Sequence, residues 1–508
     1  MKKKLILAII PLLIIFIFIP GQSNAQEFLI EENIDINTIQ PIIISEDYIE
    51  FGKKSLFDAS DSITIKDAGT PIYRWDFSDT NTAQFGQEVI HEFDSYGLHN
   101  VTLTIQQREQ KELIKKDIFV YDKQVLLITD KNIFEEFSLI EDQAANNGVQ
   151  LKVISAVEED TGFLTEEKLL PLITEESEFI KNADSLIFYT NASIGLQAFS
   201  RYWQNQEEDK KITSDNKLFI KITDQNIGIT SKLTQQSFQV IQPNFILLTR
   251  PESLNPIFET KDYNLLSTNL TNRAIEYRII DSRSEKSPIF FLSHAITNFI
   301  TKGIPSNTIY MLLVFPFIAF VITLARQFVG MSTFGIFTPL VISLSLYILG
   351  IVFGIGILLI IVVVSYLLRK LLNKFKLLYI PKTGIVLSLI GLSFLGFVWF
   401  LSYYQISLAI SIAIFPMLVM STLSEKFLSA QSEAGLKEAL WSALSTVIVS
   451  IVAYYLIVWN TFNSLIMSWP ELIILPIIGL VILGKFTGLR LTEFFRFRSL
   501  FQDKNIEE

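Results

Sequence analysis

The chain has 508 residues, half of them hydrophobic, with 41 Phe and only 19% charged, against about 25% charged in an ordinary soluble chain. That length suits about three domains, and that composition points to a membrane protein. With no Cys, disulfides, thiolate nucleophiles and Cys-ligated zinc or iron–sulfur clusters are excluded.

Lys2, Lys3 and Lys4, the apolar run Leu5 to Ile19 and the small residues Ser23-Asn24-Ala25 have the order of a secretory signal, which predicts a signal peptide over 1–25 and export of the domains behind it. Residues 26–302 then carry 26 basic and 44 acidic residues, a net charge of −18. This acidity argues against nucleic acid as a partner, because phosphate binding needs a basic surface.

Over 41–121 short runs alternate with period two: Tyr48-Ile49-Glu50-Phe51, Tyr73-Arg74-Trp75-Asp76-Phe77 and Val101-Thr102-Leu103-Thr104-Ile105 among them. That pattern predicts an immunoglobulin-like β-sandwich. Phe57-Asp58-Ala59-Ser60, Tyr73-Arg74-Trp75-Asp76-Phe77-Ser78-Asp79, and His91 through Gly97, His99, Val101, Leu103 and Ile105 resemble a PKD repeat. Ser78 stands where that family usually has Gly, and His99 where it has Tyr. Trp75 is expected to fill the space between the sheets. Asp58, Asp76 and Asp79 offer the oxygen atoms that calcium wants, but loop Asp more often binds neighbouring backbone amides; no metal is expected.

Over 125–258 apolar strands (Val125 to Thr129, Leu151 to Ala156, Ser185 to Tyr189, Lys217 to Thr223, Asn244 to Thr249) alternate with helical stretches. This predicts a three-layer α/β domain on a parallel sheet. Ligands of such sheets sit at the carboxyl ends of strands, which makes Asp130, Asn191, Asp224 and Arg250 the candidate ligand face. No phosphate loop, dinucleotide fingerprint or nucleophile elbow accompanies them, so neither catalysis nor a cofactor is expected. Residues 259–304 read as a juxtamembrane connector.

From Gly303 on the charge reverses, with 13 basic and 8 acidic residues, a net +5. Gly303–Ala325, Gln327–Leu368 and Thr383–Ser424 carry no charge, and Ala439–Gly484 carries only Glu471. At about 20 residues per crossing these runs hold one, two, two and two helices, an all-α seven-helix transmembrane bundle over 305–498 with a tail over 499–508. If the acidic domains lie outside, all 13 basic residues fall in inner loops or the tail, as the positive-inside rule requires. The expected location is therefore the cell membrane, with a cytoplasmic carboxyl terminus.

Arg326-Gln327-Phe328-Val329-Gly330, Phe334-Gly335-Ile336-Phe337-Thr338-Pro339, Leu377 to Lys382, Ser424-Glu425-Lys426-Phe427 and Gly484 to Glu493 together resemble the seven-helix module of a prokaryotic family usually fused to an inactive transglutaminase-like domain. The resemblance implies links to signalling and to cytoplasmic peptide-ligase partners; transglutaminase chemistry itself would need a thiolate. Within the bundle no His follows His294 and no Asp precedes Asp503, which removes intramembrane zinc, Ser/His and aspartyl hydrolysis. Arg326, Phe334, Gly335, Thr338 and Pro339 form a candidate membrane motif, with Thr338 expected to satisfy backbone groups freed by Gly335 and Pro339. Glu425, Lys426, Lys485, Arg490 and Glu493 are a candidate surface for a cytoplasmic protein partner, beside membrane lipids held by the basic loops. The leading expectation is a non-enzymatic protein whose exported domains bind a ligand or protein, and which senses or scaffolds and relays inward. A transporter with a substrate-recruiting ectodomain is the alternative, and a cell-envelope adhesin the third class.

Overall fold

The computed structural model describes residues 38–65, 69–131, 134–156, 162–206, 217–260, 262–282, 291–372, 378–403, 423–427, 429–431, 433–486, 488 and 490–493. The signal peptide, the expected fifth crossing in 404–422 and the tail lie outside that set.

The amino-terminal strands arise from alternation. The strands are β1 (Tyr48–Glu50), β2 (Ser55–Asp58), β3 (Ile72–Phe77), β4 (Gln84–Phe85), β5 (Glu88–His91), β6 (Gly97–Gln107) and β7 (Gln110–Tyr121); the alternation is cleanest in β5, where Val89 and His91 are buried and Glu88 and Ile90 are not. One sheet has the order β1-β7-β6-β3-β4 with β1 parallel to β7; the other is the antiparallel pair β2-β5. Trp75 is fully buried, with Phe57 edge-on at 6.0 Å between ring centroids. Its indole Nε1 donates to the Gly86 carbonyl at 3.0 Å, as a buried indole requires.

His91 stacks on Phe77 at 3.8 Å between ring centroids, and its Nε2 lies 3.0 Å from both carboxylate oxygens of Asp79. The three carboxylates of the calcium reading are thus engaged separately: Asp79 with His91, Asp76 with Arg74 at 2.9 Å, and Asp58 with the Ser60 amide at 2.7 Å. At His99, where the PKD pattern has Tyr, the ring still packs 4.8 Å from that of Phe93.

The chain divides into two units. Residues 54–91 and 100–117 form the bulk of the first; the second contains 47–53, 92–99 and everything from Ile118 on.

In the second unit six strands form one sheet: β8 (Lys123–Thr129), β9 (Val149–Ser155), β10 (Ser185–Tyr189), β11 (Leu218–Ile222), β12 (Ile246–Thr249) and β13 (Tyr277–Ile280). Its order is β13-β12-β11-β10-β8-β9, parallel except for β13. The helices α1 (Phe134–Asn146), α2 (Gly162–Glu175), α3 (Ser177–Asn182), α4 (Ile194–Gln204), α5 (Ile227–Ile241), α6 (Leu254–Glu259) and α7 (Tyr263–Asn272) cover it from both sides. One apolar layer gathers Leu126, Leu186, Phe199 and Phe219, and the opposite layer Leu127, Ile187, Ile220 and Leu247. The domain therefore runs past 258 into the stretch read as a connector. β13 pairs antiparallel with β12 and completes the sheet edge.

After α8 (Phe291–Thr301) come α9 (Ser306–Leu324), one π turn (Ala325–Val329), α10 (Phe337–Leu349), α11 (Ile351–Leu372), α12 (Tyr379–Tyr403), α13 (Leu436–Val458), α14 (Asn460–Ser468) and α15 (Ile474–Gly484). Among the described residues, Ser306–Val329 and Leu436–Val458 are each long and apolar enough to cross a membrane. A third candidate is the pair Asn460–Ser468 and Pro470–Gly484, bent by 104°. The bend has a sequence cause: Pro470 has no amide hydrogen to continue α14. On α13, Trp441, Leu444, Ile448, Val452, Tyr455 and Trp459 at its end are all exposed. The two Trp are separated by a rise of about 27 Å at ~1.5 Å per residue, the spacing of aromatic belts at the two faces of a bilayer.

Candidate functional site

The strand order reverses between β8 and β10, where an open α/β sheet ordinarily offers its ligand crevice. Asp130 follows β8 directly and Asn191 lies two residues after β10, and here they bind each other: both Asp130 carboxylate oxygens accept from the Asn191 backbone amide at 2.9 Å. Burial holds the Asp130 carboxyl above the ordinary carboxylate range, against the pull of the Asn191 amide and of Lys221 and Lys131. Asp224 pairs with Lys131 at 3.1 Å. Arg250 pairs with Glu276 at 2.7 Å and donates to the carbonyls of Thr223 and Gln225. All four members of the expected ligand face are thus engaged by partners within the domain.

Sequence reasoning did not single out Lys221, which is fully buried and donates to the Thr190 carbonyl at 2.8 Å and to Thr190 Oγ1 at 3.1 Å. Burial pulls its ammonium down to about 7, with Asp130 opposing. A signal was present: a strand central to a parallel sheet is covered on both faces, so a Lys inside Leu218–Ile222 has to be buried and satisfied locally.

The α/β domain meets α9, α10 and α14. Glu166 on α2 is buried and accepts from Arg201 at 3.1 Å and from Ser306 Oγ at 2.9 Å. It also accepts from the Asn307 backbone. Pro305, at the cap position of α9, provides no side-chain hydrogen bond, so a carboxylate from another domain satisfies the Asn307 amide, one of those a helix leaves open in its first turn. Burial raises the Glu166 carboxyl above the ordinary carboxylate range, with Arg201 pulling the other way.

Beside this contact Ser464 Oγ donates to Gln225 Oε1 at 2.5 Å and Ser468 Oγ to the Ile229 carbonyl at 3.0 Å. Lys232 lies 3.0 Å from the centre of the Trp469 ring, a cation–π contact, while Leu233 enters the apolar core of the bundle. Glu471, the one charge in the last apolar run, accepts from the Ser293 amide at 2.9 Å and from its hydroxyl at 2.8 Å. It thereby satisfies the first turn of α8.

Other contacts join the candidate motifs at Arg326–Pro339 and 425–493. The chain is non-helical between Gly330 and Gly335, and the Phe334 amide there donates to Thr446 Oγ1 at 3.0 Å. Ser450 Oγ donates to the Pro339 carbonyl at 3.0 Å. Thr333 Oγ1 also donates to the Gly335 carbonyl at 2.9 Å, so the hydroxyls recorded at this segment come from within it and from α13, while Thr338, the source expected from the sequence, is buried. Phe334 packs with Phe427, Ala439 and Ala443, next to exposed Glu425 and Lys426. Lys485 and Arg490 are also exposed, and the Arg490 amide donates to Glu493 at 3.2 Å. Arg326 lies in the π turn, half-buried.

Gly330 ends that turn at φ +91°, where a Cβ would strike Thr492 Oγ1 and come within 3.2 Å of Arg490 Cβ. Replacing Gly330 with Ala is expected to cost about 1–3 kcal/mol in backbone strain alone. It should also lift the 490–493 segment off the turn, read as faster proteolysis of the carboxyl-terminal end in detergent-solubilised protein.

Apolar helices behind β-sandwich and α/β domains define a multidomain membrane protein. Residues 266–501 match the family described as seven transmembrane helices usually fused to an inactive transglutaminase, and residues 39–117 match the PKD domain. The stretch matched to that membrane module thus lies behind the stretch matched to the PKD domain and the α/β sheet. No curated protein matches it. Among solved structures, the crystal structure of a sialyltransferase from Photobacterium damsela is 12% identical with a TM-score of 0.16, over 38% of this chain and 47% of that one. The match thus spans about half of that protein's length, and the likeness carries no argument.

Proposed function

We propose that this protein is a non-enzymatic membrane receptor. Its exported domains bind an extracytoplasmic ligand or protein, and the state of the α/β domain passes through the Glu166 junction into the bundle and on to a cytoplasmic protein partner. The observation that carries this reading is the buried Glu166 carboxylate at the start of α9, where it accepts from the hydroxyl of Ser306, 140 positions away in the chain, and from the Asn307 backbone. A tether could leave the two domains independent, whereas a buried carboxylate shared between them makes a shift of either felt by the other.

The orientation rests on charge: all 13 basic residues after Lys302 then face the cytoplasm, and the loops that meet the α/β domain carry none of them. The surface around Glu425, Lys426, Lys485, Arg490 and Glu493 is the docking place for the partner.

The lack of native Cys makes single-cysteine crosslinking clean. A photocrosslinker at Lys426→Cys in intact cells should capture one cytoplasmic protein, with yield altered by Glu166→Gln. Failure to capture any protein from the cytoplasmic side, together with solute flux in liposomes, would replace the receptor by a carrier. The non-helical segment at 330–335 and the 104° bend are where a carrier would place its route.

A further inference from the structure

A Ser at a helix N-cap normally accepts from an amide of the first turn. Ser193 occupies that position on α4 and makes no such bond, because Thr190 Oγ1 takes the Gly195 amide at 3.0 Å instead. Its hydroxyl is left fully buried and without a protein partner. Such a group loses its hydration on burial, a net cost to folding unless something else satisfies it.

Ser193 lines a small, part-open cavity where the α/β domain meets the bundle. Gln197 lines it from α4, Ser306 and Asn307 from α9, and Asn463 from α14. The space open to solvent-sized molecules is about 10 Å³, close to the ~10–15 Å³ that a single water occupies by the same kind of measure. Its lining is rich in hydroxyl and amide groups, and a buried water typically makes about three hydrogen bonds to such groups.

We propose that this cavity is a binding site for one structural water, which accepts from or donates to Ser193 and bridges α4 to the bundle residues Asn463 and Asn307. No charged side chain lines the space, and the volume excludes organic ligands, so the chemistry selects a neutral molecule of water's size. The water joins the two domains a few residues from the Glu166–Ser306 bond, because Ser306 borders the cavity as well. The site depends on the packing of the two domains and holds whether or not the junction relays a signal.

The test is the sign of a stability change in full-length, detergent-solubilised protein. Where water bridges the hydroxyl, Ser193→Ala removes a hydrogen bond, and the unfolding midpoint falls by about 1–2 °C. In a dry cavity the same substitution removes an unsatisfied hydroxyl, and a midpoint unchanged or raised overturns the proposal. A cycle with Asn463→Ala adds a second criterion. If the two side chains share one water, the double variant loses less than the sum of the singles, and strict additivity overturns the bridge. Should Ser193→Ala fail to fold, a high-resolution map of the wild-type protein decides: a solvent peak within about 3 Å of Ser193 Oγ supports the site, and its absence refutes it.

Discussion

Replacing Glu166 with Ala should destabilise the full-length protein by about 3–5 kcal/mol, the usual penalty for removing one partner of a buried ion pair. The loss has three sources. Arg201 is left largely buried, its guanidinium then sharing only Glu167 at 2.7 Å; Ser306 loses its acceptor; and the first turn of α9 loses the carboxylate that meets its Asn307 amide. Hydrogen exchange in residues 306–309 should accelerate, which a defect confined to the α/β core would not produce. Glu166→Gln, which keeps hydrogen-bonding capacity without the charge, should lose clearly less.

The pH dependence of this contact has a definite sign. The folded-state carboxyl is raised by burial, so its contribution to stability is fully present below the ordinary Glu range and is lost as pH rises through the folded value. The junction should therefore hold best in mild acid and loosen toward neutrality, and the Gln variant should lose that slope. Asp130 is raised by burial too and contributes a slope of the same sign inside the α/β domain, so exchange at 306–309 is the readout that isolates Glu166. Lys221, lowered to about 7, acts at the other end. Its contribution is present above the ordinary Lys range and lost as pH falls toward about 7, and it adds no slope in acid.

The second large effect is expected at Trp75. Truncation to Ala should cost about 3–5 kcal/mol, because the indole is fully buried against Phe57, stacks with Phe77 at 6.5 Å and bonds the Gly86 carbonyl. The truncation would leave a void between the sheets and an unpaired carbonyl. Limited proteolysis should then cut within 54–117 at a temperature where the bundle still resists. Trp75→Phe should recover most of the packing but not the hydrogen bond, a residual loss of about 1 kcal/mol.

These two residues differ in how far the sequence announced them. Trp75 stands in a local, alternating run with a family-like signature, and the structure puts it where that run implies. The five parallel strands were equally legible, since each is an apolar run within a few residues of the expected bounds: Ser185–Tyr189 coincides, and Leu218–Ile222 lies inside Lys217 to Thr223. β13 was not legible, because Tyr277-Arg278-Ile279-Ile280 is short and half-exposed and sits in a stretch of weak periodicity. Its existence depends on the edge that β12 offers, which is tertiary information.

Glu166 was hidden for the same reason. On α2 it reads as one more acidic residue of a solvated face, and nothing local marks its partner 140 residues later. The candidate ligand face shows the reverse. Asp130, Asn191, Asp224 and Arg250 were placed correctly at strand ends, but spacing cannot reveal that each would find a partner inside the domain.

The packing of the α/β domain onto α9 and α14 is what a relay between ectodomain and bundle requires, and crosslinking in native membranes tests it most directly. With no Cys elsewhere in the chain, Gln225→Cys and Ser464→Cys place thiols where side chains lie 2.5 Å apart. A short bismaleimide should join them within one chain in high yield, and a control pairing Gln225→Cys with Arg490→Cys should not react. Reaction of the control, or none at 225 and 464, would contradict the docking and with it the receptor.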